Sequence, residues 1–556
     1  MTTSEPSASQ SGDAYVWVWL PGATDPVVAG LLEARGSIVT FTYGRSYLNR
    51  PDAISLYEPE LPLRAGRIEP RSGLSIASCI RDAGPDAWGQ RVILARRTGA
   101  STTGADTADL EPLTYLLESG SDRIGALDFQ SSPTEYLPRN ETAPLADLQQ
   151  AATALQEGRL LPEPVATAFL RGTSVGGARP KVLLTEEGRH WIAKLSSTGD
   201  PYPVVKAEAV SMELARRVGL LVPATQVIRS LDRDVLLVER FDRPTATGQR
   251  RLLVSALTIL GLDEMTARYA TYPDLADAVR SMFTNPDATL RELFSRIVLN
   301  VCIGNTDDHA RNHAAFWDGR QLELTPAYDL CPQPRSGEEA AQAMAIGAKG
   351  QRASQLQVCL DAAAVYHLDR AEAAAIIDQQ LTVITEQWDE AADAAELTEV
   401  ERRQLWGRQI MNPFIHYGYP SAAVLEQANG NARARGELAR EFGLLTIADV
   451  AALAKADPPR SSATASSWTA EGKVFTTGAA GDPRFPGFQF GDDGHPLPVI
   501  AEVLTALDGR LNGWELALWF TGSNGWLGGS RPVDVLDSDP ELVVQAAGYL
   551  AADLLG

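Results

Sequence analysis

The sequence is poor in cysteine, with four thiols among 556 residues, and it has no long hydrophobic run. No two cysteines form a CxxC pair, which argues against thiolate zinc sites and a disulfide framework. No segment reaches the roughly 18 apolar residues of a membrane span. The first fourteen residues lack the apolar core of a signal peptide. We therefore predict a cytoplasmic protein without a membrane partner, and a disordered tail over residues 1–14.

Positive charge is also scarce in this chain. It has 49 Lys and Arg against 71 Asp and Glu, which gives a formal net charge of -22. Such a surplus opposes general attraction to nucleic acid or anionic lipid, although a local basic surface remains compatible with it. The length predicts three or four domains, because it is too great for one hydrophobic core.

Short strand and helix patterns alternate before the chain becomes mainly helical. Residues 15–97 contain strand patterns in AYVWVWL, GSIVTFTY and AISLYEP, and a helix pattern in PDAWGQRVILARR. Residues 164–243 contain strand patterns in HWIAKLS and RDVLLVERFD, with an amphipathic helix in KAEAVSMELARRVGL. Helix formers dominate residues 252–419. The order predicts an α+β fold in which a small sheet lobe precedes a helical lobe.

Residues 172–208 contain the first two segments suited to binding phosphate. The segment 172–181 is rich in glycine, which lets backbone N–H groups turn towards an anion, and it ends in Lys181. Lys194 follows in a strand with apolar neighbours, and Glu208 in the next helix is positioned to pair with it. The alternatives for these segments are a plain hairpin turn and an edge lysine that discourages aggregation.

The segment 304–313, GNTDDHARNH, is the most informative part of the sequence. Asp307 and Asn312 have the D-x4-N spacing of a kinase catalytic loop, where Asp accepts the substrate hydroxyl proton and Asn binds magnesium. His309 and His313 are four residues apart but lack the adjacent Glu of the zincin motif, so a structural role is their alternative. Asp329 follows a predicted hairpin, AAFWDGRQLEL, where a kinase has its second magnesium ligand.

Together these segments resemble the HipA family, the kinase toxins of bacterial toxin–antitoxin systems. The resemblance rests on SVGGARPK, VERFDR, GNTDDHARNH, LTPAYDL and the segment ending in NPFIHYGY, and it covers roughly residues 15–419. It implies a two-lobed protein-kinase-like fold with a β-rich N-terminal subdomain and a helical C-lobe. It also implies ATP and Mg²⁺ as cofactors, and a protein substrate such as an aminoacyl-tRNA synthetase or another translation component.

The resemblance further implies roles for single residues. Asp307 and His309 would be catalytic, with Asp307 as the base, while Asn312 and Asp329 would bind magnesium. Ser174 would be the loop serine that the family autophosphorylates. The residues predicted to contact the nucleotide are Ser174, Val175, Gly176, Gly177, Ala178, Arg179, Lys181, Lys194, Glu208, Glu239, Arg240, Phe241, His309, Asn312, Tyr328 and Asp329.

The chain continues past the usual end of that family. GELAREFGLLTIADVAALAKADPPRSSATASSWTAEGKVF predicts two helices, a turn, a third helix and a strand, with Thr446 and Asp449 as an N-cap pair. This order is similar to a winged helix-turn-helix with a recognition helix near residues 462–468. Because few basic residues lie near that helix, we favour a protein-interaction unit over DNA binding.

The last segment, GWELALWFTGSNGWLGGSRPVDVLDSDPELVVQAAGYL, is similar to the toxin-binding domain of Xre/MbcA/ParS antitoxins. The residues that carry this similarity are Trp514, Trp519, Phe520, Trp526, Leu527, Gly529, Pro532 and Leu536. The alternative is that these tryptophans are core residues. The similarity implies an added, mainly helical antitoxin-like domain. That domain would restrain the kinase within one chain or through a second copy, and a separate antitoxin remains a further partner.

We therefore divide the chain into six predicted parts. These are the tail 1–14, the HipA N-terminal subdomain 15–150, the kinase N-lobe 151–250, the C-lobe 251–420, the helix-turn-helix-like segment 421–478 and the toxin-binding-like domain 479–556. The predicted function is that of an ATP-dependent serine/threonine protein kinase of HipA toxin type. The alternatives are a DNA-binding autoregulator with an inactive kinase fold and a small-molecule phosphotransferase.

Overall fold

A computed structural model of the chain divides it into two compact units, Met1–Pro420 and Ser421–Gly556. The structure describes residues 13–85, 87–98, 110–140, 143–157, 159, 179–186, 188–197, 199–244, 248–335, 337, 339–419, 438–455, 461–477 and 483–553. Within these ranges no helix combines the length and the apolar character needed to cross a membrane.

A five-stranded antiparallel sheet opens the first unit, with the strand order β4-β3-β2-β1-β5. Its strands are β1 (Asp13–Val18), β2 (Val27–Arg35), β3 (Ile38–Tyr43), β4 (Arg67–Ile68) and β5 (Leu127–Gln130). The helices of this region are α1 (Arg45–Leu48), α2 (Ser78–Arg81), α3 (Ala87–Thr98) and α4 (Pro112–Glu118). Alternation along β1 places Ala14, Val16 and Val18 on one face, where all three are fully buried.

Two strand expectations for this region need correction. The segment AISLYEP is not a strand, since within it only Tyr57 forms an isolated bridge, to Leu61. Pro59 lacks the N–H that a continued ladder would need. Conversely, β2 (Val27–Arg35) was not predicted, although it is paired on both sides. The strand patterns over β1 and β3 and the helix pattern over α3 are confirmed.

A second antiparallel sheet has the strand order β6-β7-β9-β8. Its strands are β6 (Lys181–Glu186), β7 (Arg189–Leu195), β8 (Thr225–Ser230) and β9 (Arg233–Glu239), and its helices are α5 (Leu145–Gln156) and α6 (Val204–Arg217). The strand and helix patterns predicted here are confirmed. Trp191, Ala193 and Leu195 alternate along β7 and share a core with Ile93 of α3 and Leu148 of α5.

The helical part of the first unit surrounds one long buried helix. Its helices are α7 (Ala256–Ile259), α8 (Tyr272–Met282), α9 (Pro286–Ile303), α10 (Leu356–Asp361), α11 (Arg370–Glu386), α12 (Trp388–Ala394) and α13 (Glu399–Leu405). Proline at the first position of α9 suits a helix start, because its missing N–H would have no partner there. Residues 296–303 of α9 are all buried, which fixes the helix end firmly.

A small sheet follows the order β10-β11-β12 and lies beside the loop after α9. Its strands are β10 (Leu253–Ser255), β11 (Ala314–Trp317) and β12 (Leu322–Leu324). The hairpin predicted from AAFWDGRQLEL is confirmed, since β11 and β12 pair antiparallel. This hairpin joins the two loops that carry the predicted metal ligands.

The second unit is mainly helical and has its own cores. Its elements are β13 (Leu444–Leu445), α14 (Ile447–Leu453), α15 (Ser461–Ala470), β14 (Phe485–Pro486), α16 (Pro498–Leu507), α17 (Gly513–Thr521), α18 (Pro532–Val535) and α19 (Pro540–Asp553). The Thr446–Asp449 capping pair is confirmed as a reciprocal capping box. Phe520 is fully buried, whereas Trp526 is 45% exposed and stacks on Tyr549, so Trp526 is not a core residue.

Candidate active site

The loop that carries Asp307 begins where α9 ends. The helix ends at Gly304, which adopts the left-handed conformation at φ 68°. Asn305 then holds the turn, because its backbone N–H and its side-chain amide donate to the carbonyl and the side-chain oxygen of Asn300, each at 2.9 Å. Thr306 accepts from the backbone N–H of Ala343 at 2.9 Å. The start of this loop is therefore fixed from two sides.

Asp308 anchors the middle of the same loop through its buried side chain. Its side chain is 2% exposed, and Oδ2 accepts from the amide of Asn300 at 2.7 Å, from His313 Nε2 at 2.8 Å and from the Tyr272 hydroxyl. Burial alone would raise the pKa of Asp308, but His313 and Tyr272 outweigh it and hold the pKa below its usual range. This network is not predicted from the sequence, although the two adjacent aspartates followed by His313 are a signal for it.

Asp307 and Asn312 lie close together in the loop that Asp308 anchors. Asn312 is buried and its amide donates to the backbone carbonyl of Asp307 at 3.4 Å, while the Asp307 residue is exposed. Partial burial of the carboxyl group, together with the charges of Asp329 and Asp308, raises the pKa of Asp307, and His309 opposes that rise. His309 Nδ1 is buried and has no hydrogen-bond partner among the described residues. The loop therefore brings a carboxylate, an amide and a free imidazole nitrogen to one place.

The loop after β12 brings Asp329 to that place. The Tyr328 hydroxyl donates to the carbonyl of Arg311 at 2.6 Å, and the backbone N–H of Gln333 donates to the carbonyl of Gly304 at 3.0 Å. Hydrogen bonds on both sides of Asp329 thus join its loop to the loop that carries Asp307. Asp329 itself has φ 59°, a left-handed conformation that few side chains adopt and that is often found at functional sites.

Lys194 extends from β7 into the same space. Its ammonium contacts Asp329 Oδ1 at 2.5 Å and also contacts Glu208 Oε1. The charge of Lys194 lowers the pKa of Asp329 despite burial, and the two carboxylates outweigh burial to raise the pKa of Lys194. For Glu208, burial is stronger than the opposing charge of Lys194 and raises the pKa. Lys181, buried on β6, is the cross-strand partner of Lys194.

The helix α6 that carries Glu208 is held by the helical part of the unit. Arg217 at its end donates to Gln387 at 3.0 Å and to Glu390 at 2.6 Å. Lys206, two residues before Glu208, contacts Glu401 Oε2 at 3.3 Å. These contacts keep Glu208 within reach of Lys194, since α6 cannot move outwards without breaking them.

Two aromatic residues, Phe241 and Tyr328, pack together at the loop that carries Asp329. The Phe241 ring lies 5.7 Å from the Tyr328 ring and 5.9 Å from the Phe316 ring, measured between centroids. Phe241 follows β9, at the position where the family resemblance implies the adenine contact. The Phe241 ring thus packs against Tyr328, the residue that precedes Asp329 in the chain.

Three other predicted nucleotide contacts are occupied by protein partners. The Glu239 carboxylate accepts both guanidinium donors of Arg189, at 2.9 and 2.6 Å. Arg179 pairs with Asp200 at 3.0 Å. Arg240 is 3% exposed, and its guanidinium is directed at Asp122, Asp242 and a backbone carbonyl. Burial and these bonds engage the Arg240 side chain, and its predicted nucleotide contact stays a prediction.

Most of the nucleotide contacts predicted in the glycine-rich segment lie outside the described residues. Ser174, Val175, Gly176, Gly177 and Ala178 all lie in the undescribed range 160–178. The structure therefore brings together Lys181, Lys194, Glu208, Asp307, His309, Asn312 and Asp329, with Phe241 and Tyr328 beside them.

The donor set fits a magnesium-bound nucleotide by its chemistry. The Asp329 side chain is 39% exposed and can exchange its contact with Lys194 for a cation. Among the described residues, no group of three or more His, Cys, Asp and Glu side chains is arranged to hold a metal. A site of one carboxylate and the Asn312 amide suits Mg²⁺, which usually takes one or two carboxylates and completes its shell with waters and substrate phosphates.

Comparison with family models gives two matches along the first unit. Residues 18–130 match the HipA N-terminal domain, and residues 173–388 match the HipA-like C-terminal domain. The described fold agrees with this division, because the first match contains four strands of the five-stranded sheet and the last residue of β1, and the second contains the site.

The proteins that are similar to the chain include two kinase relatives and a solved structure. Y4mE of Sinorhizobium fredii, which is named as a kinase, is 27% identical over 339 residues, 56% of this chain and 76% of its own. The serine/threonine-protein kinase toxin HipA of Shewanella oneidensis is 25% identical over 237 residues, 38% of this chain and 54% of its own. A chain of the Shewanella oneidensis HipA, HipB and operator DNA complex superposes with a TM-score of 0.53 at 18% identity, covering 74% of this chain and 99% of that one. The last comparison shows a shared fold.

Proposed function

We propose that this chain, which carries a HipA N-terminal domain and a HipA-like C-terminal domain, is an ATP-dependent serine/threonine protein kinase of HipA type. The observation that carries the proposal is the arrangement of Lys194 between Glu208 and Asp329. Protein kinases need a strand lysine, a helix glutamate and a metal-binding aspartate in place together. The kinase names of the relatives support the reaction class.

Each side chain in the site has a separate task in this proposal. Lys194 would orient phosphate oxygens of ATP, with Glu208 keeping the ammonium in position. Asp307 would accept a hydrogen bond from the attacking serine or threonine hydroxyl and then take its proton. Asn312 and Asp329 would hold Mg²⁺, which neutralises charge on the transferring phosphoryl group. His309, whose Nδ1 lacks a partner among the described residues, can donate to a phosphate oxygen.

The regulation that we propose rests on the sequence resemblances. Ser174 would be autophosphorylated, which would remove the glycine-rich loop from ATP. The second unit would act as an antitoxin-like restraint, within the chain or through a second copy. The solved HipA complex also contains HipB and operator DNA, and we propose by analogy that a separate antitoxin binds this chain too. The substrate would be a translation component such as an aminoacyl-tRNA synthetase.

The DNA-binding alternative has less support from the second unit. The helix α15, SSATASSWTA, contains no lysine or arginine, whereas groove-binding helices depend on such residues for phosphate contacts. A small-molecule phosphotransferase would share the same site and differ only in its acceptor. Identification of the phosphorylated product separates it from a protein kinase.

The direct test of the site is the magnesium dependence of ATP binding. Calorimetric titration of the full chain with ATP should show an affinity that rises with Mg²⁺. In Asp329→Asn, the increase in ATP affinity caused by Mg²⁺ should be at least about tenfold smaller, because a carboxylate ligand has been removed. Asp277→Asn is the matched control, since Asp277 is a 71% exposed carboxylate that pairs with Arg280 on α8. Equal binding with and without Mg²⁺ in the unaltered chain would contradict the proposal.

A further inference from the structure

A cluster of buried ion pairs joins the N-terminal domain to the segment after β9. We call residues 239–243 the hinge segment and residues 122–125 the clasp. Asp122 Oδ1 in the clasp accepts from Arg240 at 2.7 Å and from Arg243 at 2.9 Å. The Arg240 and Arg243 side chains are 1% and 4% exposed, so neither can be satisfied by solvent if the pairing is lost.

Backbone groups of the clasp complete the cluster. The carbonyl of Arg123 accepts from Arg240 at 2.6 Å and from Arg243 at 2.5 Å. Gly125 contributes in both directions, since its N–H donates to Asp242 at 2.7 Å and its carbonyl accepts from Arg243 at 2.8 Å. Asp242 in turn accepts from Arg240 at 2.8 Å and from Arg243 at 2.9 Å. The hinge segment is therefore bonded to the clasp through three of its residues.

The clasp also touches the apolar side of the candidate active site. Ile124, Phe241 and Tyr328 all pack against the cluster of Leu253, Ala314 and Phe316. Ile124 stands between Arg123 and Gly125, the two residues whose backbone groups bond the hinge arginines. A residue of the N-terminal domain thus supports the same small core as the two aromatic residues beside Asp329.

The charges in the cluster explain why water cannot take over the role of the Asp122 carboxylate. Burial by itself would raise the pKa of Asp122, but Arg240, Arg243 and Arg250 outweigh it and keep the carboxylate ionised. Asp242 is held ionised in the same way by Arg240 and Arg243. Without Asp122, the two hinge arginines would share Asp242 alone, which leaves an uncompensated positive charge in a buried place.

We propose that Asp122 is a positioning residue for the nucleotide, and that the N-terminal domain completes the nucleotide site by fixing Phe241 through Arg240 and Arg243. This inference rests on the proposed kinase function. In the described part of the chain, the ion pairs of Asp122 are with Arg240 and Arg243 and not with Lys194, so it would act through the hinge segment. Its loss weakens nucleotide binding while the residues of the transfer step keep their places.

The test compares Asp122→Asn with Glu118→Gln in the full chain. Both substitutions replace a carboxylate of the N-terminal domain by its amide, and the two side chains are 22% and 23% exposed. Glu118 pairs with Arg97, outside the clasp. Titration with Mg²⁺·ATP should show a Kd raised about tenfold for Asp122→Asn, within the usual range of coupling between separate groups. Glu118→Gln should keep the Kd of the unaltered chain.

Two further measurements separate positioning from loss of folding. The melting temperature without nucleotide should show that Asp122→Asn is folded at the titration temperature, and the transfer rate at saturating ATP should stay within about twofold. If Asp122→Asn does not fold, Ile124→Ala takes its place with the same expected rise in Kd. An unchanged Kd in the folded variant overturns the inference and leaves the kinase proposal standing. Absence of ATP binding by the unaltered chain overturns both.

Discussion

At the scale of single residues, the site separates reacting groups from the groups that support them. Asp307 and Asp308 are neighbours, yet the first is exposed and the second is 2% exposed with three donors on one oxygen. Charge and spacing alone predicted Asp307, because D-x4-N is a recognisable pattern. They did not predict the task of Asp308, since its partners Tyr272 and Asn300 lie on other turns and helices. Such long-range pairing cannot be deduced from local sequence.

Asp308→Asn should destabilise the protein by about 3 kcal/mol, because an amide oxygen cannot accept from all three donors and buried polar groups are left without a partner. Urea unfolding of the full chain, followed by tryptophan fluorescence, measures this. The exposed Asp277→Asn should change the free energy of unfolding by less than about 0.5 kcal/mol. A loss of similar size in both variants would show that Asp308 is not the anchor of the loop.

At the scale of elements, the position of the loop that carries Asp307 depends on how α9 ends. Gly304 has φ 68°, and a Cβ at this position would overlap the backbone carbonyl of Gln409. Gly219, shortly after the end of α6, has φ 92° but open space around it. Alanine substitutions at the two glycines therefore distinguish two losses of stability. Gly219→Ala measures the strain of a positive φ, and Gly304→Ala adds a steric clash to that strain.

Gly304→Ala should cost clearly more stability than Gly219→Ala. Gly219→Ala carries only the strain of a left-handed alanine, about 1 kcal/mol. Gly304→Ala adds a backbone clash, for a total of roughly 3 kcal/mol, and it displaces Asn305 and Asp307 so that ATP-dependent activity falls as well. Melting temperatures of the two variants give the comparison. Equal destabilisation would mean that Gln409 moves aside freely.

Sequence patterns predicted strands and helices correctly where buried side chains recur at the regular spacing of a strand or a helix. The alternation of Trp191, Ala193 and Leu195 indicated β7, and the apolar face of residues 204–217 indicated α6. The prediction was wrong for AISLYEP, whose apolar residues pack in a turn closed by the Tyr57–Leu61 bridge. The ion pair of Arg240 could not be predicted for a different reason, because its partner Asp122 is 118 residues away in the chain.

At the scale of the whole molecule, each unit builds its own hydrophobic core. Counting only the residues that the structure describes, the first unit has three core clusters and the second unit has two. The first unit contains all the described site residues, so a chain ending at Tyr419 retains the candidate site. If the second unit restrains the kinase as proposed, this shorter chain should phosphorylate faster and slow bacterial growth more than the full chain.

The central claim is that Asp307 serves phosphoryl transfer from ATP to a hydroxyl group of a protein. The most direct measurement is the transfer of radiolabelled γ-phosphate to protein in the presence of Mg²⁺, followed by mapping of the labelled residue. The unaltered chain should become labelled, with Ser174 as the expected position, and Asp307→Ala should lose at least about 100-fold of the rate, because it removes the general base. Equal labelling of Asp307→Ala and the unaltered chain would contradict the account.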